Sequence, residues 1–235
     1  MNAFLRTELL IGSSALQKLK NSSVAVFGVG GVGGFVVESL VRSGIKNITI
    51  FDSDSVDETN INRQIIATTE TVGKDKVFAM RDRALKINPE VNIVTKKVFF
   101  LPENADNYDF KDYDYIVDAI DTVTAKIAII QKAIAQNIPV ISCMGTGGKL
   151  NPTMLKVADI TKTDYCPLAK VMRRELKKRG INHLKVVYSP EISKGETDLS
   201  HTKADGKTAP PSMIFVPATA GLIIASEVVK DLIGE

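Results

Sequence analysis

Short, wholly apolar runs alternate along this chain with stretches whose apolar residues return every three or four positions. The first run, Val24-Ala25-Val26-Phe27, feeds directly into Gly28-Val29-Gly30-Gly31-Val32-Gly33-Gly34. Val32, Phe35, Val36, Ser39, Leu40 and Ser43 then recur on one helical face, and Gly44 supplies a left-handed stop. A second run, Asn47-Ile48-Thr49-Ile50-Phe51, ends in Asp52. Gly73-Lys74-Asp75-Lys76 opens a helix carrying Val77, Met80, Ala84 and Ile87, and Asn88-Pro89 closes it. Val91–Phe100 alternates as a strand, Tyr115–Ile120 is a buried strand closing on Asp121, a helix spans about 123–136, and Pro139–Met144 is a strand before the turn Gly145-Thr146-Gly147-Gly148. Strands alternating with helices predict an α/β fold of Rossmann-like type, a mainly parallel, doubly wound sheet covered on both faces.

From Lys149 the pattern changes. Met154–Ile160 reads as a strand with no crossover helix, Pro167–Arg179 as a helix stopped by Gly180, and Leu184–Tyr188 as a strand, which together predict a C-terminal antiparallel extension. Residues 190–212 have no periodicity and few apolar anchors, so a mobile loop is expected. Met213–Val216 and an apolar helix over Ala218–Ile233 close the chain. Pro217 interrupts that apolar run and Glu227, Lys230 and Asp231 follow soon after, which favours a buried or interface helix over a membrane span. Ahead of the first strand, Arg6–Gly12 and Ala15–Leu19 form a short helical arm that needs a surface to pack on, expected to be a second subunit. The expected organisation is one domain, with a core at 1–148 that carries the glycine turn and a dimer-forming extension at 149–235.

Composition narrows the classes. At 235 residues, 44% hydrophobic and 24% charged, the chain has an ordinary globular balance that excludes a disordered protein. The first residues lack the basic and apolar regions of a secretory signal. Its two cysteines, Cys143 and Cys166, form no CxxC pair, which argues against a disulfide framework and a zinc site and for a cytoplasmic setting. The net charge of +3 is uneven: residues 149–185 hold a local +7, leaving −4 for the remainder. One surface facing a polyanion is expected.

The chemistry gathers at the carboxyl ends of the predicted strands. Gly28 lets the chain turn sharply, Gly30 lets its backbone approach a phosphate, Gly33 lets the helix pack on the strand, and Asp52 is placed to hold a ribose. A dinucleotide-dependent oxidoreductase needs no more than this, and a nucleotide-binding scaffold needs less. This chain adds Arg63 and Lys76, suited to phosphate oxygens, and Asp121 at a strand end, suited to Mg2+. Lys170, Arg173, Arg174, Lys177, Lys178 and Arg179 fall on one helix, with Lys149 and Lys162 extending the track. They suit a nucleic-acid backbone or a merely solvated face.

Gly28-Val29-Gly30-Gly31-Val32-Gly33, Asp52, Asn60-Ile61-Asn62-Arg63-Gln64, Lys76 and Asp121 together resemble the ubiquitin-activating, ThiF, MoeB and HesA group of ATP-dependent adenylating enzymes. The resemblance implies ATP and Mg2+ as cofactors, Asp52 on the ribose, Asn60, Arg63 and Lys76 on the phosphates, Asp121 on the metal, and Arg6 crossing a homodimer to the partner's ATP. Within the group it is strongest to members that dehydrate and cyclise threonylcarbamoyladenosine in tRNA through a carboxyl-adenylate. It rests there on Arg6-Thr7-Glu8-Leu9-Leu10-Ile11-Gly12, Asp118-Ala119-Ile120-Asp121, Gly145 to Lys149 with Asn151-Pro152-Thr153, Thr161-Lys162-Thr163-Asp164, Pro167-Leu168 and Phe215-Val216-Pro217. The implied partners are tRNA and a second copy of the chain, with a sulfur-transfer protein also open. The alternative within the group is activation of a ubiquitin-like or sulfur-carrier protein, in which Cys166 would serve as nucleophile. Missing CxxC ligands favour tRNA.

Overall fold

The structure is a computed structural model describing residues 3–195 and 210–235. The apolar runs become β1 (Ser23–Phe27), β2 (Asn47–Phe51), β3 (Asn92–Lys96), β4 (Tyr115–Asp118), β5 (Val140–Cys143), β6 (Lys156–Asp159) and β7 (Lys185–Tyr188). They form one sheet in the order β3-β2-β1-β4-β5-β7-β6, parallel throughout except for the antiparallel β6–β7 pair. The helices are α1 (Leu5–Ile11), α2 (Ser13–Asn21), α3 (Gly33–Arg42), α4 (Lys76–Ile87), α5 (Val123–Ala135), α6 (Pro167–Lys177) and α7 (Phe215–Ile233). The chain beyond 148 completes the same sheet, because β7 pairs directly with β5.

Alternation along β1 divides the core. Val24 and Val26 face a cluster with Leu40 of α3, Met80 of α4 and Ile224 of α7, whereas Ala25 and Phe27 face Ile129 and Ala133 of α5. Each fully buried aliphatic side chain here contributes about 1.5–3 kcal/mol. A third cluster packs Met172 and Leu176 of α6 on Tyr188 of β7. Helix α7 lies close on α3, since a Cβ at Gly221 would stand 2.5 Å from the Val32 carbonyl oxygen. Any side chain there pushes the two helices apart.

Three predicted elements end differently. The strand expected over Val91–Phe100 stops at Lys96, because Phe100 turns in to pack edge-on against Phe27, 5.0 Å between ring centroids. Val98, Phe99 and Phe100 thereby become cleft wall instead of sheet. The strand expected to reach Ile120 stops at Asp118. The last helix starts at Phe215 and contains Pro217 in its first turn, where a backbone N–H has no intrahelical partner to lose.

Most of the expected mobile loop, residues 196–209, lies outside the described residues. Its two described flanks meet at one turn: Lys194 N–H donates to the Gly148 carbonyl at 2.6 Å, and Gly148 N–H donates to the Pro211 carbonyl at 2.7 Å. Among the described residues no helix is long and apolar enough to cross a membrane.

Candidate active site

A cleft of about 480 Å3 opens over the carboxyl ends of β1, β2, β4 and β5, where a doubly wound sheet receives its ligand. Its floor is the glycine turn. Gly28 has φ 89°, and a Cβ there would collide with the Ala119 carbonyl oxygen at 2.8 Å. A Cβ at Gly33 would sit 1.8 Å from the Gly28 carbonyl oxygen, so α3 starts in direct contact with the strand end. A Cβ at Gly30 would meet nothing nearer than the Gln64 amide at 3.9 Å, which leaves that stretch of backbone open to the cleft. Gly30 and Gly31 both line it.

The charged lining residues are Asp52, Asp54, Arg63, Lys76 and Asp121. Asp52 Oδ2 accepts from Val29 N–H at 2.7 Å and Oδ1 from Asp54 N–H at 2.9 Å. These bonds join the end of β2 to the glycine turn. Burial pushes the Asp52 carboxyl up, against the pull of Lys76 and the two backbone N–H groups. Lys76, the first residue of α4, is buried and pairs with Asp54 at 2.8 Å. Arg63 donates to the Thr59 carbonyl at 2.9 Å and to Asn62 Oδ1 at 2.8 Å, and burial lowers its pKa. Asp121 lies on the rim beyond β4, with Thr122 Oγ1 at 3.4 Å from its carboxylate.

Asn60, expected on the phosphates, is not among the lining residues. It is 8% exposed and its side chain accepts the Asp57 N–H, while its carbonyl receives the N–H groups of Arg63 and Gln64. Asn60 therefore builds the turn that carries Arg63. Arg6 is exposed on α1 and does not line the cleft of its own chain.

Lys162, Lys170, Arg174, Lys177, Lys178 and Arg179 are exposed on and beside α6. Two residues leave the expected tRNA track. Lys149 is 3% exposed and its ammonium donates to the Ser189 carbonyl, so no phosphate backbone reaches it. Arg173 turns inward, donating to the Ile160 and Thr163 carbonyls and to Thr163 Oγ1. Glu175 holds Arg174, Lys178 and Arg179, and these cations depress its carboxyl to about 2. Both cysteines are buried, and burial pushes the Cys143 thiol up to about 12.

The family model described as the ThiF family matches residues 4–235. The chain belongs to the ThiF family. It is 42% identical over 244 residues to the tRNA threonylcarbamoyladenosine dehydratase of Bacillus subtilis, covering 99% of this chain and 95% of that one. The crystal structure of the Escherichia coli tRNA N6-threonylcarbamoyladenosine dehydratase in complex with AMP superposes with TM-score 0.88 at 34% identity, over 99% of this chain and 94% of that one. The complex of the same enzyme with ATP gives TM-score 0.88 at 33% identity over the same shares.

Within this ThiF-family cleft the structure gives roles to residues that carried none in the sequence reading. Asp118 and Lys126 are fully buried and paired at 2.9 Å below the Asp121 loop. Lys126 also donates to the Ile120 and Cys143 carbonyls, and Ser142 Oγ donates to Asp118. One ammonium thus ties the ends of β4 and β5 together. Gln64 lines the cleft, and its buried Oε1 has no hydrogen-bond partner among the described residues. A lysine shortly beyond the β4 aspartates and a Gln beside Arg63 were visible as residue types. Their burial was not.

Proposed function

We propose that this chain is an ATP-dependent dehydratase that cyclises threonylcarbamoyladenosine in tRNA. The observation that carries the reading is convergence: the glycine turn, Asp52, Arg63, Lys76 and Asp121 come from five separate segments and line one cleft. The relatives' names and their ATP and AMP complexes support it.

ATP enters with its phosphates over the glycine turn, at the amino end of α3, and its ribose on Asp52. Gln64 Oε1 suits a ligand hydroxyl or, with the amide turned, its NH2 suits a phosphate oxygen. Carboxylates outnumber cations on the lining, three to two, so a triphosphate needs a counter-ion. Asp121 fits Mg2+, which takes one or two carboxylates and completes its shell with water and phosphate oxygens. Bound there, Mg2+ would neutralise phosphate charge.

The substrate's threonine carboxylate attacks the α-phosphorus, the bond to the β-phosphate oxygen breaks, and pyrophosphate leaves. Arg63 and Lys76 stabilise the charge gathering on the phosphate oxygens. An ammonium has three donors, so Lys76 keeps Asp54 and a phosphate oxygen at once. A nucleophilic atom of the neighbouring carbamoyl group then attacks the acyl carbon, AMP leaves, and the ring closes with loss of a proton. The balance is one water removed as ATP becomes AMP and pyrophosphate. Residues 1–148 supply the nucleotide site, while 149–235 supply the basic tRNA surface and part of a dimer interface, in the cytoplasm where tRNA is modified.

The dimer rests on α1, whose Leu5, Leu9 and Leu10 are 52%, 78% and 84% exposed around Arg6. A second copy covers them and receives Arg6 at its ATP. The deciding experiment is mass spectrometry of anticodon-loop nucleosides after incubating tRNA with protein and ATP. Loss of the mass of one water from the modified adenosine is expected; an unchanged nucleoside overturns the reading.

A further inference from the structure

We propose that Tyr165, two residues ahead of α6, is a stacking platform for an unpaired base of the RNA substrate; this rests on the tRNA function proposed for the chain. Tyr165 is 75% exposed, more than any other phenylalanine or tyrosine among the described residues. Its backbone is at φ 47°, in the left-handed region. The other described non-glycine residue with positive φ is Asn137, a type that tolerates this region, whereas a tyrosine there is strained.

The surrounding structure enforces the strain. Cys166 N–H donates to the Asp164 carbonyl at 2.6 Å, closing a three-residue turn around Tyr165. Tyr188 OH donates to Asp164 Oδ1 at 2.9 Å, and buried Cys166 anchors the other side. A glycine would suit this conformation, and an exposed ring returns little burial energy to the fold. The side chain is therefore explained by something outside the fold.

Its neighbourhood identifies the ligand class. Exposed Lys162 and Lys170 flank it in sequence, and Arg173 clamps the 160–163 turn onto α6. Toward the cleft, Leu168 is a lining residue, and Cys166 Sγ lies 3.9 Å from where a Cβ on Gly145 would stand. A solvent-facing ring with exposed lysines within one or two turns of chain matches how proteins hold single-stranded nucleotides, the base on the ring and the phosphates on the ammonium groups.

The chain contains no tryptophan, so Tyr165→Trp installs a single reporter at this position. Its fluorescence is expected to quench on titration with an anticodon stem-loop RNA. Tyr165→Gly, which relaxes the backbone, is expected to keep or raise the melting temperature and leave ATP affinity unchanged. Its affinity for the stem-loop should fall roughly 5- to 150-fold. The slope of log affinity against log salt should stay as in wild type, because stacking releases no counter-ions. Tyr165→Phe should restore binding. Wild-type affinity in Tyr165→Gly, or weaker binding with an altered salt slope, overturns the platform alone. Failure of the wild-type protein to bind the stem-loop overturns the tRNA reading and the platform with it.

Discussion

The nucleotide cleft and the α6 surface are both built from charge, and they hold it in opposite ways. In the cleft, Asp52 is fixed by two backbone N–H groups, Lys76 is buried against Asp54, and Arg63 is tied to its own turn. On and beside α6 every cation but Arg173 reaches into water, and three of them share the single carboxylate of Glu175. Buried, oriented charge acts strongly on one small ligand because little solvent must reorganise. Exposed charge acts weakly at each position and adds up over a polymer by releasing counter-ions. The two-step reaction on tRNA proposed above calls for both.

The largest expected effect lies beneath the cleft. Lys126→Met leaves Asp118 buried without its ammonium and should lower the unfolding free energy by about 3–5 kcal/mol, measured by urea denaturation. Adding Asp118→Leu should recover part of that loss, and a double variant no better than the single would show that the carbonyls of Ile120 and Cys143 matter more than the ion pair. Next in size, Arg63→Ala and Asp121→Ala should each cost roughly 100- to 1,000-fold in ATP-dependent turnover with unfolding curves unchanged. Turnover near wild type in either variant removes that residue from the catalytic set.

The surface should respond to a different probe. Lys170→Glu combined with Lys177→Glu should flatten the salt dependence of tRNA binding by about one unit of slope for each phosphate that the variant no longer neutralises, with ATP affinity untouched. An unaltered slope would make this face a solvated one.

Smaller still, Glu175→Gln frees Arg174, Lys178 and Arg179 and should tighten tRNA binding a few-fold at most, since exposed pairs are weak. The direction with pH follows from its lowered carboxyl. The stability that Glu175 contributes is present above the ordinary carboxylate range and is lost as pH falls toward about 2. The stability difference between wild type and Glu175→Gln should therefore shrink on acidification. Cys166→Ala should change least, retaining most of the activity, because the thiol is a buried packing group at the start of α6 and the acyl-adenylate is already activated. Loss of cyclisation with normal pyrophosphate release in that variant would point to a covalent step.

Local backbone requirements were legible in the chain itself. Gly28, Gly30 and Gly33 stand where a strand must turn into a helix with no room for side chains, and the apolar periods placed β1, β2, α3 and α5 close to their observed bounds. Asp52 and Asp121 were legible at the ends of recognisable strands and Lys76 at the start of a helix, whereas Arg63 stood out through the Asn60-to-Gln64 motif of the family resemblance. Distant partners decided the rest. Asn60 and Lys149 read as ligand-binding groups until their partners at Asp57 and Ser189 were in place. Val91–Phe100 read as one alternating strand, but packing on Phe27 draws Phe100 and the end of the run off the sheet. Asp118 and Lys126 lie on a strand and on the helix that follows it, and their pairing requires that helix to fold back over the sheet. Spacing along the chain specifies conformation a few residues at a time; burial and pairing exist only once segments far apart have met.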